Sequence, residues 1–247
     1  MKINVGTYNI WHGEDFGAHL KGERRIAPEN IAEHIIKNDL AICGLEEVDS
    51  NNKRSDYVKI PEVITELLEK KTGVKHYFAF ASAVNDYANP GSRYGNAIIS
   101  RYPIVNTYSM LTDVGMGVKN EYEPRVFVVA ELLVEDKPLT VIVTHFGLKL
   151  SERQLAVEQL EMILKKIETP VIFMGDLNNF PGSDIYRQVA ALLKDSSEDM
   201  NAPLTFPSNG ATYKIDYIFG KGVELSDPRT DDVTYSDHLP LSATLDW

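Results

Sequence analysis

The sequence predicts an α/β fold in which two packed β-sheets carry helices on their outer faces. Amphipathic helical periods flank both halves of the chain, while several strand-like runs follow one another in the middle without an intervening helix, as hairpins do. Length and composition fit such a domain: 247 residues, 43% hydrophobic and 25% charged, are enough to bury a large core without staples. No long linker, low-complexity tract or repeat divides the chain, so a single domain over residues 1–247 is expected.

The elements follow in order. Met1 to Asn9 alternates like a strand and lacks the apolar core of a signal peptide. Pro28 to Lys37 reads as a helix, with Pro in its first turn and Ile31 and Ile35 four residues apart. Ala41 to Val48 is a buried strand, and Pro61 to Lys71 a second helix with Val63, Leu67 and Leu68 on one face. Strands are then expected at His76–Val84, Asn96–Ser100, Arg125–Val134 and Leu139–Thr144. Ser151 opens a third helix, with Gln154 completing a capping box. A strand at Val171–Gly175, a helix at Ser183–Leu193 and strands at Lys214–Phe219 and Leu241–Leu245 close the fold.

The single cysteine, Cys43, excludes an internal disulfide framework and a Cys-rich zinc site, and its apolar surroundings mark it as a small buried hydrophobe. No run approaches the roughly 20 apolar residues that span a membrane. A cytoplasmic location and a monomer are therefore expected. The formal net charge is −11 and the isoelectric point about 5.0, which argues against wrapping nucleic acid or lying on anionic lipid. Residues 191–247 alone carry four Lys/Arg against ten Asp/Glu. Such a local excess of carboxylates suits a cation.

Polar residues gather where the expected strands end: Asn9, Glu46-Glu47, Thr144-His145, Asp176-Leu177-Asn178, Asp216 and Ser236-Asp237-His238. Singly, each has a plain structural reading. Asp-x-Asn favours turns, and a strand-end histidine is usually a satisfied imidazole. The recurrence of amide, carboxylate and imidazole at six strand ends points instead to a shared cleft.

Together and in order, these segments resemble the endonuclease/exonuclease/phosphatase superfamily of metal-dependent phosphoesterases. The resemblance rests on Thr7-Tyr8-Asn9-Ile10, Leu45-Glu46-Glu47-Val48-Asp49, Tyr94-Gly95-Asn96 through Arg101-Tyr102-Pro103, Pro124-Arg125, Thr144-His145-Phe146, Gly175-Asp176-Leu177-Asn178, Ile215-Asp216-Tyr217-Ile218-Phe219 and Ser236-Asp237-His238-Leu239-Pro240. It implies a four-layer sandwich of the DNase I-like kind, hydrolysis at phosphorus, and Mg²⁺ or Mn²⁺ as cofactor. It assigns Glu47 as principal metal ligand, with Asn9 and Asp237 at the other metal-associated positions, and Glu46 standing where Gln is more common. Asp176 would orient or deprotonate the attacking water, Asn178 donate to the attacked phosphate, His238 contact a phosphate oxygen or pass a proton with Asp216 behind it, and His145 make a second phosphate contact. Hard oxygen ligands suit Mg²⁺, which takes only one or two carboxylates.

Arg93, Asn96, Arg125 and Lys214 lie beside the motifs as candidate phosphate contacts, and the three cations could equally pair with surface acids. No basic run exceeds two residues, which weakens a nuclease reading. No amphipathic insertion supports a lipid-directed enzyme. A modest-sized phosphodiester or phosphomonoester substrate is favoured, with nucleic acid as the alternative. The loops at 12–25, 85–93 and 113–123, with neighbouring Trp11, carry His12, Phe16, Tyr87, Met116 and Tyr122 and would close over such a ligand. Lys53-Arg54-Ser55 and Thr205-Phe206-Pro207 resemble a bacterial branch of the superfamily with poorly defined substrates. Trp11 stands where some nucleases of the superfamily place an acid, which disfavours the abasic-site endonuclease branch. A non-catalytic binder of phosphorylated ligands would be expected to lack one of the motif residues, and all are present.

Overall fold

In the computed structural model, which describes residues 1–85, 91–112, 122–197 and 202–247, the elements in chain order are β1 (Lys2–Asn9), α1 (Phe16–His19), α2 (Pro28–Lys37), β2 (Leu40–Ser50), α3 (Ile60–Thr72), β3 (Tyr77–Asn85), β4 (Arg93–Ser100), β5 (Ile104–Thr112), β6 (Arg125–Val134), β7 (Lys137–His145), α4 (Leu150–Leu164), β8 (Val171–Asp176), α5 (Asp184–Leu192), β9 (Lys194–Asp195), β10 (Asp216–Lys221), β11 (Glu224–Thr230) and β12 (Leu241–Asp246). Two six-stranded sheets result, ordered β11-β12-β1-β2-β4-β3 and β5-β6-β7-β8-β10-β9. Each has one parallel pair, β1 with β2 and β7 with β8; the other pairings are antiparallel.

Alternation along the strands builds the layers. Ile3 and Val5 of β1 and Val126 and Val128 of β6 face the neighbouring sheet in a core shared by both. Phe127 and Val129 point outward onto Ala156, Leu160 and Ile163 of α4, and Tyr8 onto Ile31 and Ile35 of α2. The near-continuous apolar runs of β2 and β6 follow from this, because both faces of those strands are covered. The result is the four-layer, DNase I-like sandwich.

The helix at Pro28–Lys37 and the strand at Arg125–Val134 have the expected bounds. Helix α4 differs at its start. Leu150 begins it, and the carboxylate of Glu152 accepts from the Lys149 N–H at 2.9 Å. Gln154 instead meets Gln188 of α5 at 3.1 Å. The strand expected from Lys214 starts at Asp216, because Lys214 and Ile215 belong to the preceding connection. Three strands, β5, β9 and β11, were not foreseen. β5 and β11 are edge strands, β5 mostly exposed and β11 exposed to half-buried with no fully buried residue, so they lack the alternation that marks a strand in sequence. Cys43 is buried, which raises its thiol well out of the reactive range. Among the described residues no helix is long and apolar enough to cross a membrane.

Candidate active site

The two parallel pairs place the site. Parallel strands bring their carboxyl ends side by side, so Asn9 is registered beside Glu46, and His145 beside Asp176. β10 runs antiparallel to β8 and starts with Asp216 opposite Asp176. These strand ends meet at one rim of the sandwich, which the loop before β12 overhangs with Asp237 and His238. Gly175 permits the closest approach: at φ +146°, a Cβ there would fall 1.9 Å from the Thr144 carbonyl oxygen.

A β-bulge separates the two adjacent glutamates. Leu45 and Val48 both pack in the core under α2 and α3 although they are three residues apart, and the β2–β4 register shifts between them. Glu47 takes φ +56° to allow it. Glu46 is thereby fully buried, accepting from Thr7 Oγ1 at 2.7 Å with its Oε2 unpartnered, and burial raises its pKa well above the ordinary range. Glu47 reaches the cleft. Its Oε1 accepts from Asn9 Nδ2 at 3.2 Å, and burial, opposed by that bond and reinforced by Asp237, raises its pKa.

Asn9 ties the corners together. Its Nδ2 also donates to Asp176 Oδ2 at 3.2 Å, and its Oδ1 accepts from the Trp11 N–H at 3.2 Å. Asp176 in turn accepts from the Asn178 N–H at 2.7 Å, with Asn178 at φ +47° in the tight turn after β8. His238 Nδ1 lies 2.9 Å from Asp216 Oδ2, and its Nε2 lies 3.7 Å from Asp176 Oδ2. Burial alone would lower the His238 pKa; Asp216, Asp176 and Asp237 outweigh it and raise it to about 10. Burial and Asp216 together raise Asp176, against the pull of His238 and the Asn178 N–H.

Asp176 also borders His145, which is as buried as His238 and brings Nε2 to 3.4 Å from Asp176 Oδ2. Arg125 Nη1 lies 3.3 Å from its Nδ1 and Asn178 Nδ2 2.8 Å from its Nε2, while Glu47 Oε1 lies 3.9 Å from Nδ1, so each ring nitrogen faces both an N–H donor and a carboxylate. A neutral imidazole accepts from one of these donors through its single lone pair and turns the N–H of its other nitrogen toward a carboxylate. Burial, then Arg125 and His238, accordingly lower its pKa well below the ordinary value. Arg125 is itself buried, donating from Nη1 to Glu123 at 2.6 Å and to the Tyr94 hydroxyl at 3.4 Å.

The sequence matches the Endonuclease/Exonuclease/phosphatase family over residues 6–238. The chain belongs to this family. Among solved structures it is similar to a family member from Leptotrichia buccalis C-1013-b (18% identity, TM-score 0.77, 99% of this chain and 100% of that one). It is also similar to a mannosyl-6-phosphatase from Bacteroides thetaiotaomicron VPI-5482 (18%, 0.71, 99% and 100%) and to the human Nocturnin catalytic domain (19%, 0.68, 99% and 93%). At these identities the likeness carries the fold. No curated protein matches the sequence.

The endonuclease/exonuclease/phosphatase family is one of hydrolytic phosphoesterases, typically dependent on a divalent metal, and the donor set here fits a cation. Glu47, Asp176, Asp216 and Asp237 converge against His238 and Arg125, and Asp216 Oδ1 is buried without a hydrogen-bond partner. Asp176, Asp216 and His238 each bring one ligand atom within 4.8 Å of the others. With two carboxylates against it, though, His238 is a donor rather than a ligand, which leaves the oxygens as the cation's partners.

Of the residues expected from sequence, Asn9, Glu47, His145, Asp176, Asn178, Asp216, Asp237, His238 and Arg125 lie at this rim. Asn96 lies behind it, its Nδ2 bonded to the Val126 carbonyl at 2.7 Å next to Arg125. Two expected phosphate contacts are set elsewhere. Arg93 is exposed, with its guanidinium 5.3 Å over the Phe80 ring. Lys214 is 2% exposed and paired with Asp195 at 3.2 Å beside the Tyr217 ring, because it precedes β10 on the side of β9. Tyr87 and Met116 lie outside the described residues. Sequence reading assigned no role to Thr205, whose Oγ1 accepts from the Asp216 N–H at 3.3 Å, or to Phe206, whose ring lies 4.9 Å from that of His238. It also left unassigned Arg54, which lies 4.8 Å over the Tyr94 ring. The segments Lys53-Arg54-Ser55 and Thr205-Phe206-Pro207 were the signals available for them.

Proposed function

We propose that this chain is a divalent-metal-dependent phosphodiesterase or phosphatase acting on a modest-sized phosphate-bearing substrate. The observation that carries the reading is the buried His238–Asp216 pair facing Asp176 across the cleft floor. Asp216 fixes the imidazole through Nδ1 and keeps it cationic, so Nε2 presents a proton to a phosphoryl oxygen. Asp176, with a raised pKa and its orientation fixed by Asn9 and Asn178, positions the attacking water and takes its proton. Asn178 and neutral His145 hold the phosphate, and Arg125 adds positive charge beside them.

Glu47 and Asp237, with Asn9 between Glu47 and Asp176, are the residues that would hold Mg²⁺ or Mn²⁺. Asn9 Oδ1 already accepts from Trp11, so its contribution is through orientation of Glu47. The ion, when bound, supplies charge neutralisation at the phosphoryl oxygens. An acidic chain with no basic run fits a compact ligand better than a polymer.

The test is nitrophenol release from bis(p-nitrophenyl) phosphate beside the monoester, with Mg²⁺ or Mn²⁺ and with chelator. Metal-dependent turnover that is lost in Asp176→Asn and in His238→Ala is expected. Turnover indifferent to chelator or to both substitutions overturns the reading, and efficient nicking of supercoiled plasmid would convert it to a nuclease.

A further inference from the structure

We propose that Arg54 binds a second phosphate group of the substrate, at a built position on the rim beside Arg125; this rests on the phosphoesterase reading above. The Arg54 guanidinium is gripped along one edge only. Its Nε and Nη2 donate to Asp49 at 2.8 and 2.9 Å, and the Asp49 carboxylate is fully buried. That side-on pairing leaves the other edge, between Nη1 and Nη2, as an open fork, and Nη1 has no partner among the described residues. The side chain is 48% exposed on that account. Two parallel N–H groups in a plane are the geometry that takes a phosphate through two oxygens.

The backbone beneath is fixed. Asn51 N–H donates to the Val58 carbonyl at 3.0 Å and Tyr57 N–H to that of Asn52 at 2.8 Å, closing the loop at its base. The Asn52 side chain accepts from the Arg54 N–H at 3.2 Å. Asn51, Asp56 and Tyr57 all take positive φ, between 55° and 60°. Left-handed backbone at three non-glycine residues is costly, and here it holds one arginine in place, so little ordering remains for a ligand to impose.

Tyr94 sets the spacing. Arg54 covers the face of its ring, 4.8 Å from the centroid, and Arg125 meets its hydroxyl at 3.4 Å. The two guanidinium groups therefore share one tyrosine, Arg125 at its hydroxyl beside His145 and Arg54 over its ring face on the more exposed side. Glu47 lies near enough for its charge to act on both. A ligand whose reacting phosphate sits by Arg125 can reach Arg54 with a second phosphate carried on a sugar-sized spacer. A phosphomonoester with a neutral remainder cannot.

Inhibition of bis(p-nitrophenyl) phosphate turnover by glucose 1-phosphate and by glucose 1,6-bisphosphate, at saturating metal, tests this. The wild type should bind the bisphosphate about tenfold more tightly or better, the size of a charge-assisted hydrogen-bonded contact. In Arg54→Ala that preference should fall to about twofold or less. Arg54→Lys, which keeps the charge but loses the fork, and Asp49→Asn, which loosens the grip, should fall between. The ratio compares two ligands on one protein, so a change in folded fraction cancels. A wild-type ratio near one, or a preference that survives Arg54→Ala, overturns the proposal. Absence of metal-dependent turnover in the wild type strikes the phosphoesterase reading instead, and the same ratio is then read by calorimetry.

Discussion

His145 and His238 are equally buried and border the same Asp176 carboxylate oxygen, at 3.4 and 3.7 Å, yet their pKa values move in opposite directions. Burial pushes both toward the neutral form. Around His238 it is overridden by Asp216 at 2.9 Å and by Asp176 and Asp237. Around His145 it is reinforced by Arg125 at 3.3 Å and by His238 itself. The neighbours, and not the depth, decide which imidazole carries the proton. One side thus offers a cation to a phosphoryl oxygen, and the other a neutral ring with one accepting and one donating nitrogen.

Breaking the cationic corner should have the largest effect. His238→Ala is expected to reduce phosphoester turnover by about 10²–10⁴-fold, the range for losing a positioned acid–base group. Asp216→Asn keeps the shape and removes the charge that raises His238. A group with a raised pKa is protonated until the pH passes that value, so the wild-type rate should fall only as pH rises toward about 10. In Asp216→Asn the alkaline fall should move down toward neutrality, and a pH–rate profile with an unmoved limb would contradict the assignment. Arg125→Gln acts on the other corner. It should lower the rate by about 10²-fold and raise the His145 pKa, which NMR titration of the ring reads. The rise should be partial, because burial remains.

Much of this was legible in the sequence because the chemistry sits at strand ends, and strand ends are where hydrophobic runs stop. Asn9, Asp176 and Asp216 needed only the run before or after them. The β-bulge at Glu46-Glu47 was not legible. Two adjacent acids look alike in sequence, and only the register against β4 shows that one is buried and the other open. Lys214 misled for a related reason: its place beside the Asp216 motif gives no sign that its side chain turns away to Asp195. Arg54 was overlooked because its partner Asp49 and its platform Tyr94 come together only when β2 pairs with β4.

The smallest expected effect concerns Glu46, and it asks whether neighbours or depth decide for a carboxyl as well. Glu46 has one hydrogen bond, from Thr7, against full burial and the nearby charges of Asp216 and Asp176. Its pKa in the folded chain therefore lies above the ordinary 4.5. Below that value the side chain is neutral whether folded or not, and costs nothing. As pH rises past 4.5 the unfolded chain ionises while the folded one resists, so stability falls until the folded pKa is reached. Glu46→Gln removes the titration, keeps an oxygen for Thr7, and puts an N–H₂ where Oε2 has no partner. The variant should gain about 2–4 °C in Tm at pH 8, the shift that ~1 kcal/mol produces in a chain of this length. The gain should shrink toward zero below pH 4.5. A loss of stability at pH 8 that vanishes below pH 4.5 would instead mean that Glu46 is ionised in the fold and that the cationic groups around the cleft reach it, making it, after His238, a second case in which neighbours outweigh burial.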